Sequence, residues 1–162
     1  MLYRVVIAVV IISLAACQSE DRNNWRPYDL LPHGIPITIL APDSVKVQKV
    51  DLAGILNDVT LRGGEDYYIQ IYASEAETND LAKVKAQQLA EVKSNRYFSS
   101  IVSEDEDGFV YQTQIDSNTV NYGFRHIRLQ GDMEYIFQTG LVGSFTREEA
   151  ERMYEAVQPE GQ

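Results

Sequence analysis

The sequence contains one cysteine, Cys17, among its 162 residues. A lone cysteine cannot form a disulfide within the chain or supply the set of thiolates that a structural zinc site uses. The stability of the folded chain therefore has to come from the packing of its core. The length fits a single domain, since domains are typically about 100 to 150 residues long and that size buries a sufficient core.

Positive charge is also scarce. Lysine and arginine together number 14 against 24 aspartate and glutamate residues, so the formal net charge is −10 at pH 7. Nucleic-acid binding depends on basic side chains that neutralise phosphates, and docking on anionic lipid depends on basic patches. We therefore expect no nucleic-acid partner, and we expect something other than surface charge to hold the protein at a membrane.

Long apolar runs are lacking, and the one apolar stretch at the amino terminus is short. It extends from Val5 to Ala16, after the positively charged Arg4. A transmembrane helix needs roughly 20 apolar residues, whereas a positive residue, a short apolar core and small residues before a cleavage point are typical of a secretory signal. We predict that residues 1–16 are a cleaved signal peptide, whose loss of Arg4 moves the net charge from −10 to −11.

The residues Leu14-Ala15-Ala16-Cys17 resemble the lipobox of bacterial lipoproteins, in which a leucine and two small residues precede a cysteine. The resemblance implies that Cys17 is the lipid-attachment site and becomes the first residue after cleavage. A buried methylene contributes about 0.8 kcal/mol, and two or more acyl chains hold a protein stably where one does so only marginally. An ordinary secretory leader and an uncleaved anchor stay open as alternatives.

The next residues bear on location. In proteobacterial lipoproteins an aspartate directly after the cysteine tends to mean retention in the inner membrane, and here that residue is Gln18. The resemblance therefore implies the outer membrane of a bacterial cell envelope. Glu20-Asp21 partly resembles the surface-export signal of Bacteroidetes lipoproteins. Both the periplasmic and the surface-exposed face stay open.

Composition divides the rest of the chain into a tether, a domain and a tail. Residues 17–32 are polar and irregular, and we predict that they form the lipidated amino terminus and a tether. A single domain is expected over 33–158, followed by a short tail at 159–162. The only tryptophan, Trp25, is expected to pack on the edge of the domain or to lie near lipid headgroups.

Alternating apolar residues and turn formers predict strands joined by tight turns. Hairpin turns are expected at Gly63-Gly64-Glu65-Asp66 and at Gly131-Asp132. The strand face that carries Phe109 is expected to continue to Ile115, and the face that carries Phe137 to continue to Leu141. The predicted strands are 35–40, 45–50, 55–61, 67–72, 97–102, 109–115, 122–130 and 133–142.

Helical spacing occurs twice. Leu81, Val84 and Val92 fall on one side of a helix that begins after Ser74 or after Asn79-Asp80 and ends near Ser94-Asn95. Near the carboxyl terminus, Thr146-Arg-Glu-Glu149 matches a capping box and precedes apolar residues at helical spacing.

Hairpin connections between strands favour antiparallel pairing, because a parallel crossover needs a dozen residues or more. The sequence thus predicts the α+β class, with a middle helix and a carboxyl-terminal helix packed on an antiparallel sheet. This order of elements resembles the Mog1/PsbP-like α/β/α sandwich over about Leu31 to Val157. The resemblance implies an accessory, assembly or binding role and carries over no catalytic residues.

Chemistry-bearing residues are few. His33 and His126 have no metal-ligand spacing, so they form a zinc site only if the fold joins them to a carboxylate. Glu104-Asp-Glu-Asp107 lacks the spacing of an EF-hand loop and is expected to be a solvated hairpin tip. We therefore predict no catalytic residues, no metal and no cofactor.

Three functions remain open at this point. The first is a non-enzymatic binding or assembly module with an envelope protein as partner. The others are an envelope hydrolase and a small-molecule or metal-binding lipoprotein. A deep pocket joining His126, Arg125 or Arg128 to carboxylates would favour the last two, and a shallow aromatic patch would favour the first. Tyr68 and Tyr72 either form such a patch or lie under a second helix.

Overall fold

A seven-stranded antiparallel sheet organises the part of the chain that the computed structural model describes, residues 25–54 and 56–159. Two further strands, β1 (Arg26–Asp29) and β2 (Thr38–Ala41), pair with each other in a separate antiparallel ribbon. The large sheet consists of β3 (Lys46–Leu52), β4 (Leu56–Gly63), β5 (Tyr67–Glu75), β6 (Phe98–Glu104), β7 (Gly108–Gln114), β8 (Val120–Gln130) and β9 (Met133–Thr139).

The strand order is β3-β4-β5-β9-β8-β7-β6. The chain forms one meander from β3 to β5 and then crosses to the far edge through helix α1, Leu81–Ser94. A second meander returns from β6 to β9, which pairs with β5 in the middle of the sheet. Helix α2, Arg147–Val157, then crosses the opposite face. The predicted α+β class with an antiparallel sheet and two helices is confirmed.

The two helices cover opposite faces because neighbouring strand residues point to opposite sides of a sheet. On β9, Phe137 belongs to the core under α2, whereas Ile136 packs with Val84 of α1. The α2 core is the larger and also contains the β1-β2 ribbon. Its fully buried large side chains include Leu30, Ile35, Tyr67, Ile69, Ile71, Phe124, Phe137 and Met153.

Local signals in the sequence set the helix ends and the tight turns. The Asp80 side chain accepts a hydrogen bond from the amide of Lys83 at the start of α1. At α2, Thr146 and Glu149 form the expected reciprocal capping box. Gly131 has φ 61° in the two-residue turn between β8 and β9, a conformation that glycine adopts without steric cost.

The predicted tether is wrong in its second half, because residues 25–32 belong to the folded domain. Strand β1 pairs with β2, and Leu30 is fully buried. The ring of Trp25 packs edge-on against Tyr67, with ring centroids 4.8 Å apart. The polar sequence of this segment does not by itself indicate an ordered backbone. Pairing with β2 orders it, because β2 supplies hydrogen-bond partners for its backbone groups. The predicted domain boundary at residue 33 is therefore too late.

Two predicted strands are too long at their carboxyl ends. Strand β7 ends at Gln114, which leaves Ile115 in the following turn, and β9 ends at Thr139, which leaves Leu141 in a loop. The first predicted strand, 35–40, is reduced to β2. None of the described helices has the length and apolar character that crossing a membrane requires.

Candidate functional site

Cys17, the predicted lipid-attachment site, lies outside the described residues together with the rest of the lipobox and the predicted signal peptide. The anchor therefore stays a prediction. The remaining candidate residues are described, and the structure separates them into two groups. Arg125 and His126 are neighbours on β8, so their side chains point to opposite faces of the sheet.

His126 lies on the α2 face and meets the acidic turn between β6 and β7. Its Nδ1 is 3.4 Å from Oδ1 of Asp107. In the same turn, Asp105 accepts hydrogen bonds from the Tyr154 hydroxyl at 2.5 Å and from the Gly108 amide at 3.0 Å. Glu104, Asp105 and Glu106 are exposed, as expected of a solvated hairpin tip, although Asp105 also bonds α2. Asp107 differs from that expectation, because it is half-buried against His126.

Burial shifts the pKa of both members of this pair. Desolvation, followed by the neighbouring Asp105, raises the pKa of Asp107 from 3.8 to about 6. Desolvation, followed by the nearby Arg128, lowers the pKa of His126 from 6.5 to about 4. Each shift favours the uncharged form of its side chain. Both side chains can therefore be accommodated under α2, because burial favours the uncharged form of each.

This cluster is built for packing. The His126 side chain is only 1% exposed, and its ring lies between Phe137 and Tyr154 at centroid distances of 5.6 and 6.0 Å. A substrate has no approach to an imidazole in that position. The other histidine, His33, forms a hydrogen bond with the hydroxyl of Tyr28 on β1, and the two rings are stacked. Within residues 25–54 and 56–159, no three His, Cys, Asp or Glu side chains are grouped to hold a metal ion.

The α1 face contains a different feature, which we call the Arg125 cleft. It is a cavity of about 270 Å³ between the carboxyl end of α1 and the ends of β7, β8 and β9. Arg125 and Gln138 lie at its floor, and rings and apolar side chains surround them. Its lining includes Tyr97, Tyr111, Ile115, Arg125, Gln138 and Leu141, together with several amide and hydroxyl side chains.

A row of polar side chains crosses the sheet to reach this cleft. Strand register places Gln70, Gln138 and Arg125 side by side on β5, β9 and β8. The Gln138 amide donates to Gln70 at 3.1 Å, and the Gln70 amide donates to Asp58 at 2.8 Å. Gln70 and Gln138 are 4% and 3% exposed. Buried amides of this kind are retained only when bonded, so the row fixes the floor of the cleft.

Arg125 is poorly matched by the protein around it. Its side chain is 11% exposed, yet the nearest carboxylate oxygen, on the largely exposed Glu91, lies 4.0 Å from Nη2. Nη1 reaches the Phe124 carbonyl at 3.5 Å, and among the described residues Nε has no acceptor. The guanidinium carbon lies 6.0 Å from the centre of the Tyr111 ring. A guanidinium has five donors, and burying it with so few acceptors is unfavourable.

Two loops form the mouth of the cleft, and both present apolar side chains to solvent. Ile115 in the β7–β8 turn is 48% exposed, and Leu141 after β9 is 73% exposed. The second loop is held in place at its other end, since Asn121 on β8 accepts a hydrogen bond from the amide of buried Phe145 at 2.7 Å. The apolar mouth is thus attached to a fixed support.

Glycines make room for the rings near the cleft. A Cβ at Gly123 would lie 2.7 Å from the Tyr111 ring, and a Cβ at Gly140 would lie 2.4 Å from the Tyr68 ring. Tyr68 also lies below Arg62, whose guanidinium carbon is 5.5 Å from the ring centre. Tyr72 packs in the small core with Leu81 and Val84 of α1. The second-helix alternative is therefore correct for Tyr72, and Tyr68 takes a position beside the cleft.

Two larger depressions lack this combination of features. One, of about 710 Å³, lies beside α1 and is bordered by Glu75, Glu77 and Glu134. The other, of about 560 Å³, lies beside the carboxyl end of α2, where Arg128 bonds the Val157 carbonyl at 3.2 Å. In the first the bordering charge is mostly acidic, and in the second the arginine already has a protein acceptor.

The sequence contains a signal for the Arg125 cleft that differs from the spacing of a catalytic or metal-binding motif. Gln70 lies between Ile69 and Ile71, and Arg125 lies between Phe124 and His126. A polar residue within a strand that both helices cover has to be buried, and a buried polar residue needs a partner. Polar positions in central strands were the clue, although the pairing of strands far apart in sequence was needed to join them.

The comparisons with known proteins provide no relative: no family model matches the chain, and no curated protein or solved structure matches it either. The structure defines the protein as an α+β domain with a helix on each face of its sheet and a small cleft at one end. The similarity to the Mog1/PsbP-like fold stays a prediction.

The opposite pKa shifts of Asp107 and His126 predict a pH dependence that variants reveal. The raised pKa of Asp107 gives a contribution to stability that is present at low pH and lost as the pH rises through about 6. The lowered pKa of His126 gives a contribution that is present above 6.5 and lost as the pH falls through about 4. The two changes oppose each other in the unmodified protein.

Between pH 4 and 6.5, Asp107→Asn is expected to become more stable with rising pH than the unmodified protein. His126→Leu is expected to lose stability relative to the unmodified protein over the same rise in pH. Each difference in the free energy of unfolding is expected to be on the order of 1 kcal/mol. Urea denaturation at several pH values measures both slopes. Glu106→Gln changes an exposed carboxylate in the same turn and is the control, with an unchanged slope. Parallel slopes in all four proteins would contradict the assignment.

A second prediction concerns the stability cost of Arg125. Arg125→Met is expected to leave the free energy of unfolding unchanged or to raise it by about 1 kcal/mol, because an apolar side chain removes an incompletely paired buried charge. Ile127→Ala, on the same strand and face, is the control and is expected to lose about 2–4 kcal/mol. A loss above about 2 kcal/mol in Arg125→Met, measured by denaturation, would show a structural role.

Proposed function

We propose that the protein is a lipid-anchored envelope lipoprotein whose domain binds a partner, without catalysis, through the Arg125 cleft. The observation that carries this proposal is the composition of the cleft. Its lining has one charged side chain, Arg125, and no His, Cys, Asp, Glu or Lys among the described residues. Those residue types supply most general acids, bases and nucleophiles, and the tyrosine and threonine hydroxyls of the lining have none of them as neighbours in the cleft. The composition of the cleft therefore favours recognition.

The mouth of the cleft supports a protein or peptide partner. Tyrosine rings and arginine are enriched where proteins bind each other, and Tyr97, Tyr111 and Arg125 occur together here. Exposed aliphatic side chains at the mouth, Ile115 and Leu141, offer apolar area that a partner would remove from water. Of the large apolar side chains exposed in the described part of the chain, several lie on these same two loops.

The proposed anchor at Cys17 would locate the binding domain at a membrane. Acyl chains on Cys17 would hold the domain at the envelope membrane, for which the net charge of −10 offers no attraction. Residues 18–24 connect Cys17 to Trp25, which packs on the domain. The cleft would then meet other envelope components at a membrane surface. Gln18 after the cysteine favours the outer membrane as that surface.

Replacement of Cys17 tests the anchor. Cys17→Ser is expected to abolish acylation and to move the protein from the membrane fraction to the soluble fraction, because no other acyl acceptor of this kind exists in the sequence. Fractionation and intact-mass measurement provide the readouts, and Ser19→Ala is the control that keeps the lipid. A Cys17→Ser protein that stays in the membrane fraction, beside an unmodified protein without lipid mass, would contradict the anchor.

Site-specific crosslinking tests the cleft. A photoreactive phenylalanine analogue in place of Leu141 is expected to yield one discrete adduct in cells, and the adduct is expected to disappear when Arg125→Met is combined with it. Leu31, which is 61% exposed and distant in sequence from both mouth loops, is the matched control position and is expected to yield no such adduct. Adducts that are equal at both positions, or none at Leu141, would contradict a binding role for the cleft.

A further inference from the structure

We infer that the Arg125 cleft binds the carboxyl-terminal residue of a peptide, with the terminal carboxylate on Arg125 and an apolar side chain against Ile115 and Leu141. This inference rests on the proposed binding function and specifies its ligand. It is carried by the juxtaposition of a buried, incompletely bonded guanidinium with an exposed apolar mouth.

The guanidinium sets the charge and shape of the ligand group. Nε of Arg125 has no acceptor among the described residues but is itself enclosed by protein. The donors left for a ligand are those of Nη1, which has one long bond of 3.5 Å, and of Nη2, which is 4.0 Å from Glu91. A planar fork of donors in a mostly enclosed position matches a planar carboxylate, which accepts two parallel hydrogen bonds. The bond would also be stronger there than in water, because the floor of the cleft is shielded from solvent.

The polar row keeps the guanidinium available for such a ligand. Asp58 is the carboxylate of that row, and it accepts its hydrogen bond from Gln70 instead of from Arg125. Gln70 in turn accepts from Gln138, the neighbour of Arg125 in the strand register. The two glutamine side chains therefore separate the anion at one end of the row from the cation at the other. The protein holds Arg125 in a fixed setting without neutralising it at close range.

The size of the cleft favours a chain end. Its volume of about 270 Å³ is at the lower end of ligand sites, which usually measure about 300–1,000 Å³. A space of that size holds a terminal residue more readily than a continuous segment that has to enter and leave. Amide and hydroxyl side chains around the floor, among them Asn95, Thr113 and Thr139, can bond the last peptide group.

The surface charge of the protein also limits the ligand. With a net charge of −10, the domain repels strongly acidic segments at long range. A single carboxylate beside an apolar side chain avoids most of that repulsion and uses both features of the cleft. Because the attraction acts at short range between partly buried groups, it is expected to depend only weakly on salt.

Binding of defined peptides tests the inference. The probes are dye-labelled tetrapeptides that end in Ala, Leu or Phe, each prepared with a free carboxyl group and with a carboxamide. Fluorescence anisotropy is measured with the full-length protein in detergent micelles. We expect at least one free acid to bind about tenfold or more tightly than its amide. Arg125→Met is expected to remove that difference, and Leu141→Ser to weaken acid and amide alike.

Arg128→Gln is the matched control, since Arg128 lies on the same strand but on the opposite face of the sheet, where it bonds α2. It is expected to bind the acid as the unmodified protein does. The comparison of acid with amide uses the unmodified protein, so it holds even if a variant folds poorly.

Equal binding of acid and amide would overturn the inference, and so would the absence of binding by all six peptides. An amide peptide with an internal glutamate that binds as tightly as the free acid would also overturn it, in favour of an acidic segment. In each case the crosslinking at Leu141 decides separately whether the binding function stands. A specific adduct there would support the binding function with a different ligand. The absence of an adduct would contradict both the binding function and the peptide ligand.

Discussion

The pairing of β5 with β9 is the contact on which the rest of the domain depends. It joins two meanders that are otherwise separate, and it lies in the middle of a sheet covered by α1 on one face and α2 on the other. All residues of these two strands except Glu75 are therefore buried or half-buried. Apolar side chains such as Ile71, Ile136 and Phe137 gain from that burial, and polar ones must find partners across the same strands.

The polar residues under the two helices are accommodated in different ways. Under α2, the acidic turn and His126 meet at close range, and burial opposes the charge on both Asp107 and His126. Under α1, the amides of Gln70 and Gln138 bond each other, and the charge of Arg125 remains at the end of the row. The first arrangement is closed by aromatic packing. The second opens into a cleft, and this difference in access is the reason why we propose recognition for the second arrangement and packing for the first.

Local patterns predicted most of the framework. Both helices, the capping box at Thr146 and the turn at Gly131 lie where the sequence indicated them, because each depends on residues within a few positions of one another. The errors fell at strand ends. Ile115 and Leu141 continue an alternating pattern and look like strand residues, yet the chain turns toward β8 after Gln114 and leaves the sheet after Thr139, so both side chains lie at the mouth of the cleft. The segment from Trp25 was misjudged for a related reason, since its order comes from pairing with β2.

The sequence by itself determined the α+β class, the antiparallel connections, the acidic surface and the expectation of a lipidated Cys17. Those properties follow from periodicity, turn chemistry, net charge and a motif of four consecutive residues, all of which are local or additive. Only the tertiary structure decided which polar residues meet. Asp58, Gln70, Gln138 and Arg125 lie on four strands, and His126 and Asp107 are brought together across a turn and a strand pair. Strand register between distant segments sets those distances, and no pattern within a single segment contains it.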